Sequence, residues 1–266
     1  MIIQSHGDMD ITLKDPFPEG EKKLLFMVLY EPNYCHFMLH EAIVKNCADP
    51  IGHIHSKFLI SPTMNTIPDS EPIALELYKL TDETYYLAIP KERKLNIHDQ
   101  YADWIFTYPI CRSISLFCLE NNFTEVYGMS HLSIHHFLEN QEDYTNLQSD
   151  EIEVYDHSTD SFECLVVEDS QEPAFIMSPL TYNIPKVFTM FGGKGLNILA
   201  GSSELGKIDK ASAKTLSKFI TERFNFKPSI RTIDSTYKEI LKAESIPSEA
   251  FITKGDDRSN SGVMFG

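Results

Sequence analysis

The feature that most constrains this chain is a repeated switch in hydrophobic period. Short apolar runs of strand length alternate with stretches whose apolar residues fall at helical spacing. The runs are Leu24–Tyr30, Ile73–Leu80, Tyr85–Ile89, Glu125–Met129, Cys164–Glu168 and Leu196–Ala200. They are rich in Leu, Val, Ile and Tyr and are bounded by Pro, Gly or charged residues. Between them, Phe37–Asn46 and Tyr101–Asn122 read as helices, and Pro109 is expected to kink or split the second. The clearest helix is Lys210–Asn225. Asp209 can accept from its free first-turn amides, Leu216, Phe219, Ile220 and Phe224 form an apolar stripe, and Pro228 marks the stop. A second C-terminal helix is expected to follow, capped by Asp234 and presenting Tyr237, Ile240 and Leu241.

Strands alternating with helices predict an α/β fold. The expectation is a single layered α/β domain over residues 1–254, with a mixed sheet flanked by helices. A flexible C-terminal tail follows over residues 255–266, Gly255 to Gly266. The segment Asn140–Phe162 interrupts the alternation with polar and acidic residues and reads as an excursion from the domain.

Charge narrows the function classes. The net charge is −16 over 266 residues, and its distribution is uneven. Residues 113–185 hold 14 acids and no Lys or Arg, whereas residues 186–266 carry a net +4. A general nucleic-acid binder needs clustered cations to neutralise phosphates, so nucleic acid is excluded as a partner. An anionic membrane surface is excluded for the same reason. The acidic middle reads as a solvated surface that keeps the chain soluble or meets a basic partner.

The longest apolar stretch, Leu24–Tyr30, is far too short to span a bilayer. Met1–Leu13 lacks the cationic-then-apolar pattern of a signal peptide. The five cysteines, Cys35, Cys47, Cys111, Cys118 and Cys164, form an odd, scattered set without a CxxC pair. They read as reduced core thiols of a cytoplasmic or nuclear protein.

Several groups invite a chemical reading. His36 and His40 are four apart beside Cys35 and Glu41, but a zinc-protease helix needs Glu where Phe37 stands. His53 with His55, and His135 with His136, lack further ligands at a metal spacing, so the histidines read as structural. Phe191-Gly192-Gly193-Lys194-Gly195 lacks the phosphate-loop spacing and precedes a strand, so a tight turn accounts for its glycines. Gly201-Ser202-Ser203-Glu204-Leu205-Gly206 follows a strand and precedes a helix, the usual place for an α/β site. It supports one alternative, a small-molecule enzyme of nucleoside-phosphorylase-like architecture using Ser202–Glu204. It is not GxSxG, and no constellation specifies a catalytic residue, a metal site or a cofactor.

The terminus is more informative. A Gly/Ser/Asp spacer leads to Val263-Met264-Phe265-Gly266, apolar side chains at the end of a soluble chain. Such a terminus can enter a pocket with its aromatic residue as anchor and its carboxylate captured by a lysine or by backbone amides.

The C-terminal part of the chain resembles the fungal proteasome assembly chaperone 1 family. The resembling residues are Gly195-Leu196-Asn197, Ser203-Glu204-Leu205-Gly206-Lys207 and Phe224-Asn225-Phe226-Lys227-Pro228-Ser229. The helix bearing Tyr237 and the tail Ser261-Gly262-Val263-Met264-Phe265-Gly266 complete the run. Cys111-Arg112-Ser113-Ile114 through Tyr127-Gly128 is similar more loosely. The resemblance implies an α/β chaperone without a catalytic site or cofactor. It implies a heterodimer with a second related assembly chaperone subunit, seated on the ring of proteasome α-type subunits. It also implies that the C-terminal hydrophobic–Tyr–X motif enters a pocket between adjacent α subunits. Met264 then takes the hydrophobic place, Phe265 the aromatic place and Gly266 the terminal carboxylate. Phe265 stands where the motif carries Tyr, so the packing and the carboxylate are kept and the hydroxyl is absent.

Overall fold

A computed structural model of the chain describes residues 2–6, 9–29, 34–56, 73–89, 100–133, 152–159, 161–162, 179–202 and 208–244. The elements in chain order begin with β1 (Ile2–His6), β2 (Met9–Leu13), β3 (Lys22–Val28), α1 (Cys35–Val44), β4 (Gly52–Ser56), β5 (Ile73–Lys79) and β6 (Thr84–Ile89). They continue with α2 (Gln100–Glu120), β7 (Phe123–Ser133), β8 (Ile152–Asp156), β9 (Ser161–Phe162), α3 (Pro179–Met190), β10 (Lys194–Ser202), α4 (Lys210–Phe224) and α5 (Ile230–Glu244).

One mixed sheet takes all ten strands in the order β1-β2-β4-β5-β6-β3-β7-β10-β8-β9. Its middle, β6-β3-β7-β10, is parallel. Antiparallel strands extend it on both sides. Residues alternate between two cores, as a pleated strand buried on both faces requires. On β3, Leu24, Phe26 and Val28 join the helices α2 and α3 on one face. Leu25 and Met27 join α1, α4 and α5 on the other. Each fully buried Leu, Ile or Phe in these layers contributes about 1.5–3 kcal/mol. The edge wing is one-sided instead: Met9, Ile11 and Leu13 of β2 are buried while Asp10 is exposed. A slip of one residue would turn Asp10 inward, which fixes the register. This wing curls over α2, since Gln4 on β1 exchanges amide hydrogen bonds with Asn121 just after that helix.

The single layered α/β domain expected from the sequence is therefore present. Five of the six strand runs become β3, β5, β6, β7 and β10, within a few residues at their ends. Cys164–Glu168, the boundary at residue 254 and the tail 255–266 lie outside the described residues. Three expectations need correction. The helix through Pro109 is not split: α2 runs from Gln100 to Glu120, held to the sheet by Ile110, Ile114 and Phe117. Part of the acidic excursion belongs to the sheet, because Ile152–Asp156 pairs antiparallel with β10. Asp234 does not cap α5. That helix starts at Ile230, where the Ser229 hydroxyl accepts from the Thr232 amide at 3.3 Å, and Asp234 pairs instead with Lys214 of α4 at 2.8 Å.

Candidate functional site

The carboxyl ends of the parallel strands are the first place to look in an open α/β sheet. Polar groups there are engaged in holding backbone. His36, fully buried at the start of α1, donates from Nδ1 to the Val28 carbonyl at the end of β3, at 2.8 Å. At the end of β10, the Ser212 hydroxyl lies 2.8 Å from the Gly201 carbonyl and 2.6 Å from Asp209 Oδ2. Asp209 accepts the Ser212 amide at 2.9 Å, the N-cap expected for α4. Ser203 and Glu204 of the alternative small-molecule site lie outside the described residues. The groups flanking that segment serve the helix cap.

A second polar cluster sits beneath α3. Asn197 of β10 is fully buried, and its Nδ2 donates to the Thr181 carbonyl at 2.8 Å and approaches the Gly128 carbonyl at 3.4 Å. Its Oδ1 accepts from His157 Nε2 at 2.6 Å. Two glycines allow the close approach. A Cβ on Gly128 would meet the Thr181 carbonyl at 2.5 Å, and one on Gly195 would meet the Pro185 carbonyl at 1.9 Å. Phe191-Gly192-Gly193 form the tight turn expected between α3 and β10, with Gly192 at φ +91°, and Lys194 and Gly195 already belong to the strand.

The opposite face carries a charged array at the amino ends of the strands. The Tyr127 hydroxyl donates to Glu125 at 2.5 Å, Arg223 of α4 donates to that hydroxyl at 3.2 Å, and Lys23 lies 3.4 Å from Glu125. Burial would raise the Glu125 carboxyl, but Tyr127, Lys23 and Arg223 outweigh it and hold it below its usual value. Burial and the bond to Glu125 push the Tyr127 hydroxyl upward. Both groups are thereby driven away from neutrality, the reverse of what general acid–base chemistry requires. Tyr127 and Arg223 border an open pocket of about 280 Å³ between α4 and the β8–β10 pair, with Phe219 and Leu196 in its wall.

Of the residues singled out from sequence, His40 lies 3.0 Å from the Tyr86 hydroxyl, and burial lowers its pKa to about 4 against an opposing pull from Glu76. His53 and His55 stand two apart on β4. Among the described residues no group of three or more His, Cys, Asp or Glu is arranged to hold a metal ion. Cys35, Cys111 and Cys118 are buried in the core. His135, His136 and the terminal Val263, Met264, Phe265 and Gly266 lie outside the described residues. No described helix is long and apolar enough to cross a membrane. The fold-bearing roles of Asn197 and Gly128 were not assigned from sequence, although both stand in the stretches that carry the family resemblance.

No protein-family model matches the chain, and no curated protein matches it in sequence. Solved structures do share its architecture. PbaB of Pyrococcus furiosus, an archaeal proteasome activator, aligns with a TM-score of 0.56 at 13% identity, over 90% of this chain and 98% of its own. PbaA of the same organism, an archaeal homolog of proteasome-assembly chaperone, aligns at 0.53 and 13% identity, over 88% of this chain and 94% of its own. A proteasome-assembly chaperone homologue of Mycobacterium tuberculosis aligns at 0.51 and 9% identity, over 85% and 96%. The chain thus has the α/β fold of these archaeal and mycobacterial proteins across most of its length.

Proposed function

We propose that this chain is a non-catalytic chaperone of proteasome core-particle assembly, corresponding to the fungal proteasome assembly chaperone 1 subunit. In this reading it binds the ring of α-type subunits as a heterodimer with a second, related chaperone. It inserts Val263-Met264-Phe265-Gly266 into a pocket between adjacent α subunits, and it works in the cytoplasm and nucleus. The observation that carries the reading is the fold shared with PbaB and PbaA over 90% and 88% of the chain. The residues behind the family resemblance add to it, because Gly195, Asn197 and Gly128 are the ones that seat α3 on the sheet.

The physical logic is one of divided labour. A short apolar terminus binds weakly alone, because ordering it costs conformational entropy. Tethered to a folded domain already resting on the ring, it acts at a raised effective concentration. Phe265 supplies the aromatic anchor and the Gly266 carboxylate the charge.

Affinity purification of the N-terminally tagged full chain, read by mass spectrometry, tests the proposal. Proteasome α-type subunits and one related chaperone should dominate the eluate, and their absence would overturn the assignment. Deleting Met264–Gly266 should reduce α-subunit recovery while the partner chaperone is retained. Unchanged α-subunit recovery would remove the tail from the mechanism.

A further inference from the structure

The wing β1-β2-β4-β5 buries one face against the core that holds α2 and α3. Its other face carries the alternate residues of each strand, and Asp10 and Glu76 are exposed there. On β4, Ile54 enters the core with Ile11 and Leu75, so His53 and His55 share the open face. The register then sets an acid directly across from each imidazole. Asp10 of β2 is opposite His55, and Glu76 of β5 is opposite His53. Residues directly opposite on paired strands have Cβ atoms about 4.5–5.5 Å apart, and two residues along one strand are separated by about 7 Å.

These two histidines differ from His36, His40 and His157, whose rings meet the Val28 carbonyl, the Tyr86 hydroxyl and the Asn197 side chain. His53 and His55 make no hydrogen bond or ion pair. Nδ1 of His53 is buried, which leaves Nε2 as its nitrogen at the surface. A structural histidine is recognised by the partners of its ring nitrogens, so the structural role expected for this pair from sequence does not hold. The acids beside them are oriented. The Ser5 hydroxyl donates to Asp10 Oδ1 at 2.7 Å, and the Tyr78 hydroxyl donates to Glu76 Oε2. Each bond uses one carboxylate oxygen and leaves the other open.

We propose that His53 and His55 chelate one divalent transition-metal ion through their ring nitrogens. Asp10 and Glu76 supply the negative charge around it, and water fills the remaining coordination positions. This is an open site with two protein ligands, in keeping with the absence of a three-ligand group among the described residues. Imidazole selects Cu²⁺, Ni²⁺ or Zn²⁺, whereas Mg²⁺ and Ca²⁺ require oxygen ligands. Among the three, Cu²⁺ binds most tightly by the general order of divalent affinities. The site uses none of the terminal residues and does not depend on the chaperone reading.

Copper(II) chloride is the probe and the untagged, metal-free, full-length protein the sample. Titration should show one equivalent bound more tightly than the rest, with zinc chloride weaker at the same site. Electron paramagnetic resonance of that equivalent should show two imidazole nitrogens on the copper. His55→Gln and His53→Gln each break the chelate, and each should weaken the tight equivalent about tenfold or more and leave one imidazole in the spectrum. Asp10→Asn keeps both nitrogens and should weaken binding about fivefold, as expected of one nearby charge. Neither imidazole makes an internal hydrogen bond, so thermal melting of the metal-free variants should match the wild type. Copper held elsewhere among the ten histidines of the chain would keep its affinity in His55→Gln, and that result would overturn the proposal. Displacement of the copper by millimolar magnesium chloride would overturn it too, because the acids alone would then account for binding.

Discussion

Asn197 on β10 donates from Nδ2 to the carbonyl of Thr181 on α3, at 2.8 Å. The fourth residue after Thr181 is Pro185, inside the same helix, which has no N–H to offer that carbonyl. The side chain of a neighbouring strand thus completes a bond the helix cannot make for itself. The arrangement predicts energetic coupling between two residues that are distant in sequence. Asn197→Leu should cost about 1–3 kcal/mol, since the buried Thr181 carbonyl loses its partner. Pro185→Ala restores an N–H within the helix, so the same Asn197 substitution should cost about 1 kcal/mol less in that background. Urea unfolding of the four members of this double-mutant cycle measures the coupling directly. Strict additivity would show that the strand side chain does not replace the missing helical bond.

Gly195 faces the same proline from the other side. A methyl group there would sit 1.9 Å from the Pro185 carbonyl oxygen, a backbone atom that cannot rotate away. Gly195→Ala should therefore destabilise by about 3 kcal/mol, by forcing α3 off the sheet. Gly192→Ala is the contrast: nothing lies within 4 Å of its added carbon, and only the φ of +91° opposes the change. Its cost should be about 1–2 kcal/mol. Thermal or urea unfolding of both variants checks the ranking, which reverses if backbone strain outweighs the collision.

This corner of the fold shows where reading the sequence succeeds and where it stops. A run such as Leu24–Tyr30 was legible because a strand buried on both faces is apolar almost without interruption, and Leu196–Ala200 was legible despite Asn197 because its other four residues are apolar. Asp209 was legible as a cap because its partner, the Ser212 amide, is three residues away. The helix α3 was not, because Pro185 breaks the local pattern and the compensation comes from Asn197 across the sheet. Strand β8 was hidden by its acidic surroundings, since Glu153 and Asp156 mask the alternation that pairs it with β10. Asp234 looked like a cap because an acid near a helix start usually is one. Its ion pair with Lys214 is visible only after α4 and α5 are packed together. The Tyr85 hydroxyl, buried without a hydrogen-bond partner, has no sequence signature at all, because it depends on what fails to surround it.

His40 sets the mildly acidic limb of stability. Burial lowers its pKa to about 4 from an ordinary 6.5, with Glu76 opposing the shift. Between these values the unfolded chain binds a proton that the folded chain does not, so stability falls as pH drops from about 6.5 to about 4. The ring is partly exposed, so the loss should be about 1–3 kcal/mol. His40→Gln should flatten that stretch of the stability profile. An unchanged profile in urea titrations across this range would show that the imidazole protonates in place without penalty.

Glu125 acts at lower pH and through the opposite chemistry. Its carboxyl is held below the ordinary 4.5, because Tyr127, Lys23 and Arg223 together outweigh the effect of burial. Its contribution is complete above the unfolded value and is lost as pH falls through the lower folded one. Glu125→Gln should remove the part of the acid transition lying below about pH 4.5 and cost about 1 kcal/mol near neutrality. The His40 limb at higher pH should persist in this variant, so unfolding measured over the full acid range separates the two groups.

The terminal residues allow a graded test of the docking reading. Phe265 stands where the hydrophobic–Tyr–X motif carries a hydroxyl, so Phe265→Tyr adds one hydrogen-bonding group without changing the ring. If the tail enters an inter-subunit pocket, Phe265→Tyr should tighten α-ring binding by about fivefold, the worth of one net hydrogen bond. Phe265→Ala removes the anchor and should weaken binding by about thirtyfold. Extending the chain by one residue beyond Gly266 displaces the carboxylate and should weaken binding while leaving Phe265 intact. Titrating purified α-rings with each full-length variant yields the order Tyr, Phe, extended chain, Ala. Equal affinities across the series would place the ring contact on the folded domain, and the apolar terminus would then be incidental to assembly.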